Sequence, residues 1–209
     1  MITEKAVILV GGFHEMIELC EQCNVRIAGI FDNERTGEYM NYRILGTDAD
    51  AIANAQQYKK FPVILSPDKP SLREKLFWLY QEAGYTFEGL ISPTSQISGT
   101  ARIDPLAVIQ HGVNVSANAT IGKFVKLNSL CNIMHDAIVD DFTTVAPNAV
   151  VLGYVQIGRS CYIGANSTIL PEKKLGNQIM VGAGAVVTRD VSDGLTMVGV
   201  PAREMNPGK

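Results

Sequence analysis

The chain has 209 residues and a formal net charge of −3. That length provides for two small domains, and the charge leaves no basic footprint for nucleic acid. Its apolar runs fall far short of the roughly 20 residues that span a bilayer, and Met1 to Lys5 carries no signal-peptide core, so a cytoplasmic protein without membrane insertion is expected.

Ala6 to Val10 is a continuous apolar run closed by Gly11-Gly12, the pattern of a buried parallel strand. A helix is predicted from Phe13 to Cys23. A second apolar strand, Arg26 to Phe31, ends at Asp32-Asn33. Asp48 to Tyr58 reads as a helix capped by Thr47 or Asp48, and Phe61 to Leu65 as another buried strand. Pro70 and Ser71 open a helix with Leu72, Leu76, Leu79 and Ala83 on one face. Tyr85 to Ile91 reads as the last strand. This alternation predicts a small doubly wound α/β domain over residues 1–90.

Ligands of such sheets sit at the carboxyl ends of the strands. That edge carries Gly11, Gly12, Phe13, His14, Asp32, Asn33 and Ser66. Glycines before a helix let backbone N–H groups meet a phosphate, and an acid ending the second strand can hold ribose hydroxyls. The full Gly-x-Gly-x-x-Gly of a dinucleotide site is absent. Cys20 and Cys23 form a lone Cys-x-x-Cys with no second pair or nearby histidine, so neither zinc nor redox work is expected of them. Cys20 is predicted to face the core.

From Ile91 to Val187, Ile, Val or Leu stands at every sixth position, seventeen times without a miss. Neither a helix nor an ordinary strand has that period, and a fixed period means a repeat architecture. The fourth residue after the aliphatic one is usually small (Ala107, Ala119, Cys131, Ala137, Ala149, Cys161, Ala185) and is predicted to point inward with it. Cys131 and Cys161 are thus core residues. Gly or Asp often follows the aliphatic residue directly (Gly122, Asp140, Gly158, Gly164, Gly176, Gly182), where turns of unusual φ are expected. Three short strands make an 18-residue triangular coil. Residues 91–209 therefore read as an all-β left-handed parallel β-helix, against the usual right-handed crossover. No inserted loop interrupts it.

The only histidines are His14, His111 and His135. His111 and His135 occupy the same outward phase but lie 24 residues apart, one coil plus one side. They cannot share a metal within one chain, and no metal site is predicted. His135 is followed by Asp136, and an acidic neighbour orients an imidazole and supports it as a base. Asn128 offers a further polar contact.

These features resemble the NeuD/PglD family of bacterial sugar acetyltransferases, in which a short Rossmann-like domain precedes a left-handed β-helix. The resemblance covers essentially the whole chain. It is strongest in Asn128 to Asp136, Val145-Ala-Pro-Asn148, Ile163 to Pro171, Val181-Gly-Ala-Gly184 and Val198 to Arg203. It implies a homotrimer with sites at subunit boundaries and acetyl-CoA as co-substrate. The resemblance also makes His135 the general base, supported by Asp136, for direct transfer to a sugar amine or hydroxyl. Thr144, Ala165, Gly182 and Ala183 match positions that contact CoA, with Arg203 near its phosphates. Gly12, His14, Asp32 and Asn33 match nucleotide-sugar positions, but Phe13 and Glu15 replace glycines of the usual loop, and Phe13 either closes the pocket or stacks on a base. The resemblance implies an N-acetyltransferase acting on a nucleotide-linked amino sugar of the 4-amino-4,6-dideoxy kind, for surface glycan synthesis. Two alternatives stay open: an O-acetyltransferase of sialic acid or a related sugar, and a non-catalytic trimeric scaffold or sugar sensor.

Overall fold

The computed structural model describes residues 6–205. The chain divides into two compact units, the first ending at Leu90 and the second beginning at Ile91.

The first unit is a five-stranded sheet with helices. Its strands are β1 (Ala6–Val10), β2 (Arg26–Phe31), β3 (Glu38–Tyr39), β4 (Tyr42–Gly46) and β5 (Val63–Leu65), in spatial order β3-β4-β2-β1-β5. β4, β2, β1 and β5 run parallel. Helix α1 spans His14–Gln22, α2 Asp48–Ala53, α3 Ala55–Tyr58 and α4 Pro70–Glu82. Val7, Ile8, Leu9, Ile30, Phe31, Val63 and Ile64 are all buried. Covering both faces of a parallel sheet gives such unbroken apolar runs.

Four details depart from the sequence reading. A hairpin, β3–β4, lies where no element was expected. Met40 and Asn41 form its two-residue turn at φ 48° and 66°, the left-handed pair that a tight hairpin needs. The stretch Asp48 to Tyr58 is two short helices. Thr47 opens α2 with a reciprocal capping box to Asp50, and Asn54 ends it, its side chain donating to the Asp50 carbonyl at 2.8 Å. The buried face of α4 is Pro70, Arg73, Leu76 and Tyr80, whereas Leu72 is 41 % exposed. Arg73 can lie inside because its Nη1 donates to the carbonyls of Pro67 at 2.7 Å and Asp68 at 3.2 Å. Burial lowers its pKa to about 10, opposed by Asp68. Finally, of Tyr85 to Ile91 only Leu90–Ile91 is a strand.

The second unit is a three-sided parallel β-helix. Side I is eight-stranded and includes Lys126–Leu127, Thr144–Val145 and Tyr162–Ile163. Side II is six-stranded and includes Asn132–Ile133 and Val150–Val151. Side III is five-stranded and includes Ile138–Val139 and Gln156–Ile157. Up to Val187 the strands pair in parallel with those 18 residues away, as in Lys126 with Thr144, Ile133 with Val151 and Val139 with Ile157. The predicted aliphatic column fills the prism: Ile109, Leu127, Ile133, Val139, Val145 and Ile163 are fully buried. Cys131 and Cys161 sit inside with them, as expected, and so do Val113, Val125, Val155 and Ile179 at the same inward phase.

The unusual backbone is not where glycine suggested. Left-handed φ recurs two residues later, at Asn118, Phe124, Leu130, Asp136, Phe142, Asn148, Tyr154, Ser160 and Asn166. The glycines after the aliphatic position are needed for space instead. A Cβ on Gly158 would lie 2.6 Å from the Gly176 carbonyl oxygen of the next coil.

Candidate functional site

In the first unit the carboxyl ends of β1, β2 and β5 surround a cavity of about 220 Å³. Phe13, Phe31, Pro67 and Leu76 form its apolar wall, and Asp32, Asn33 and Arg35 its polar end. This is the expected edge for a ligand of a parallel sheet.

Asp32 does not have the free carboxylate that a ribose contact requires. Its Oδ2 accepts from the Gly12 N–H at 2.8 Å and from Arg35 Nη1 at 3.1 Å. Its Oδ1 accepts from the N–H groups of Glu34 at 2.8 Å and Arg35 at 3.0 Å. A carboxylate offers about four acceptor positions, and all are taken. Burial opposes the charge, but these donors overcome it and hold the Asp32 pKa below its ordinary value. Asp32 is a latch between the end of β2 and the β1–α1 turn. The same latch consumes the Gly12 N–H that was expected to face a phosphate.

Asn33 is similarly engaged: Nδ2 donates to Asp48 Oδ2 at 2.7 Å and Oδ1 accepts from the Asp48 N–H at 2.9 Å, fixing the start of α2. His14 is exposed, its Nδ1 3.4 Å from the Tyr39 hydroxyl and its Nε2 3.3 Å from Glu15 Oε1. Glu15 thus turns to His14. Ser66 is fully buried, and its N–H donates to the Val10 carbonyl. Phe13, 39 % exposed, lines the cavity. Sequence reasoning missed Arg35, whose guanidinium lies 4.5 Å over the Tyr39 ring, and the buried Arg73 that holds the Pro67 loop.

In the second unit His135 and Asp136 stand at the corner between sides II and III. His135 Nδ1 is 3.0 Å from Asp136 Oδ2, and Asn118 Nδ2 donates to Asp136 Oδ1 at 3.2 Å. Those two hydrogen bonds, the imidazole's first, hold the Asp136 carboxyl below its usual pKa despite some desolvation; Coulombic attraction from His135 and a Tyr154 hydrogen bond contribute. An imidazole that donates Nδ1–H to a carboxylate keeps its lone pair on Nε2. The His135 side chain is half exposed.

Asn128, buried, lies one corner away, between sides I and II, and does not meet His135 within the chain. His111 is at that same corner, its Nδ1 3.2 Å from Ser129 Oγ, so the two histidines occupy different corners as expected. Thr144 is buried on side I, and Ala165, Gly182 and Ala183 follow its strands at the I/II corner. Arg203 lies beyond, on the exposed strand Arg203–Glu204, which pairs antiparallel with Thr196–Val198.

Comparison with known proteins settles the family. The chain is 32 % identical over 200 residues to the GDP-perosamine N-acetyltransferase of Escherichia coli O157:H7, covering 90 % of this chain and 87 % of that one. It belongs to the NeuD/PglD-type hexapeptide-repeat sugar acetyltransferases. PerB from Caulobacter crescentus, solved with CoA and GDP-perosamine, has the same fold (TM-score 0.89, 24 % identity, 96 % of this chain and 97 % of that one). So has the acetyltransferase domain of PglB from Neisseria gonorrhoeae FA1090, solved with acetyl coenzyme A (TM-score 0.88, 23 % identity, 97 % and 100 %). These neighbours identify the β-helix as left-handed. Bifunctional GlmU proteins match more narrowly, and the chain spans under a third of their length, as with 29 % of that of Ruegeria. No protein-family model matches. The chain is an acetyltransferase, and among the described residues no helix is long and apolar enough to cross a membrane.

Proposed function

We propose that this protein transfers the acetyl group of acetyl-CoA to the amino group of a nucleotide-linked 4-amino-4,6-dideoxy sugar, in surface glycan synthesis. The observation that carries the mechanism is the exposed imidazole of His135 held through Nδ1 by Asp136 at 3.0 Å. The curated relative's reaction on GDP-perosamine supports the substrate class. The amine lone pair attacks the thioester carbonyl carbon while Nε2 of His135 takes the amine proton. The tetrahedral adduct then expels the CoA sulfur, which recovers that proton from the imidazolium. No acyl-enzyme forms, so alignment of the two substrates supplies much of the rate.

One chain does not assemble this site. His135 is at the II/III corner, whereas Thr144, Ala165, Gly182 and Ala183 approach the I/II corner. A neighbouring copy that sets its I/II corner, with Asn128, against the first copy's II/III corner completes it, and threefold closure supplies three such grooves. Arg203 would meet the CoA phosphates. The N-terminal unit is a Rossmann-like nucleotide-sugar domain whose 220 Å³ cavity takes the base against Phe13. The four cysteines, none of them in a disulfide, suit a cytoplasmic location.

The test is thiol release from acetyl-CoA with GDP-, UDP- and dTDP-linked 4-amino-4,6-dideoxy sugars, and with sialic acid as the hydroxyl acceptor. Turnover with one amino sugar supports the reading and names the nucleotide. Turnover with sialic acid alone replaces it with O-acetylation. His135→Ala should lose about 10²–10⁴-fold in kcat, the usual contribution of a general base, with acetyl-CoA affinity retained. Near-wild-type turnover in that variant removes His135 from the role.

A further inference from the structure

The His135–Asp136 pair is flanked by the coils on either side, and three residues there face it. The 18-residue register sets Asn118 beside Asp136 on one side, and Gly153 and Tyr154 beside His135 and Asp136 on the other. Asn118 occupies Oδ1 of Asp136, leaving Oδ2 to the imidazole.

Gly153 is the informative position. Its φ is not in the left-handed region, so the backbone does not call for glycine there. The same register position carries Ala117 one coil before His135 and Pro171 one coil after Gly153, so the corner accepts side chains. What a side chain at Gly153 would displace is the imidazole of His135. A Cβ would lie 2.7 Å from His135 Cε1, 2.8 Å from Nε2 and 3.3 Å from Nδ1. The ring rests on the space that the missing side chain leaves.

Tyr154 closes another side of that space. Its ring centroid is 5.3 Å from that of His135, at 85° between planes. Tyr154 is 54 % exposed, so core packing does not account for it.

We propose that Gly153 and Tyr154 are positioning residues for the general base: together they confine the His135 ring to the orientation in which Nδ1 meets Asp136 and Nε2 faces the acceptor amine. The proposal rests on the reading of His135 as the base. The His135 side chain is half exposed, so close packing on every side does not fix its orientation.

The test sets Gly153→Ala, Tyr154→Phe and Tyr154→Ala beside His135→Ala. To restore an ordinary 3.4 Å contact the ring must retreat about 0.7 Å from the new Cβ. Displacement of a reacting group by about 1 Å costs on the order of 10²-fold, so Gly153→Ala should lower kcat by about 10–100-fold. Its KM for acetyl-CoA and its oligomeric state should stay as in the wild type. Tyr154→Phe, which keeps the ring, should retain most activity, and Tyr154→Ala should not. Because the chain has three histidines, ¹⁵N signals of His135 can be assigned by their loss in His135→Ala. In Gly153→Ala those signals should move. An inactive His135→Ala with wild-type kcat in both Gly153→Ala and Tyr154→Ala overturns the positioning role and leaves the base intact. An active His135→Ala overturns the base and this proposal with it. Loss of acetyl-CoA affinity in step with kcat, with His135 signals unmoved, makes Gly153 a coil-shaping residue only. Should Gly153→Ala not fold, the Tyr154 pair decides: equal kcat for Phe and Ala refutes the proposal.

Discussion

Asp32→Asn separates a latch from a ligand contact. The wild-type carboxylate is 7 % exposed and accepts four hydrogen bonds. An amide best keeps its oxygen towards the two N–H groups of Glu34 and Arg35. Its NH₂ then faces two further donors, the Gly12 N–H and the Arg35 guanidinium. Stranding the buried Gly12 N–H costs about 1–3 kcal/mol. The Arg35 pair, 40 % exposed on the arginine side, adds at most about 1 kcal/mol. The expected loss is therefore about 1–4 kcal/mol, read as the shift of the urea transition. The sign with pH follows from the depressed pKa of Asp32. A carboxylate whose folded pKa lies below its unfolded value, about 3.9, stabilises fully above that value and loses this only as pH falls through the folded one. The gap between wild type and variant should therefore be constant from about pH 5 to 8 and close only in stronger acid. If Asp32→Asn leaves the transition in place but raises KM for the nucleotide sugar, Asp32 is a ribose ligand and the latch is wrong.

Two further expectations concern the β-helix. Ile133→Ala opens a void in a fully buried column and should cost about 2–5 kcal/mol in urea unfolding; under 1 kcal/mol would mean that adjacent coils collapse to fill it. Asp136, held below the usual carboxylate range by His135 and Asn118, stays ionised until pH falls through its depressed value. An acid limb of kcat/KM at roughly pH 5–8 therefore belongs to another group and should persist in Asp136→Asn. Its disappearance would show that Asp136 itself titrates there.

The β-helix was legible in the chain because its code is local and repeated. An aliphatic residue every sixth position and a mostly small residue two before it fix which side chains face the prism, whatever the rest of the fold does. His135 beside Asp136, and their outward phase, follow from that arithmetic. So would Gly153 and Tyr154, one 18-residue step away, had the register been applied to outward positions as well as inward ones. Other features needed coordinates because they depend on partners remote in sequence. The left-handed φ falls two residues beyond the glycines, since those glycines answer the close approach of the next coil. Asp32 and Asn33 look like binding residues on a strand end, yet Gly12, twenty residues away, and Asp48, fifteen away, claim their polar atoms. Arg73 reads as a surface charge on α4 until the Pro67 and Asp68 carbonyls turn inward to receive it. The sequence alone therefore determines the repeat, the core and the outward placing of the His135–Asp136 pair, because periodicity is short-ranged. Only the tertiary structure decides which polar side chains remain available to a ligand, because hydrogen-bond capacity is consumed by whatever the fold brings near.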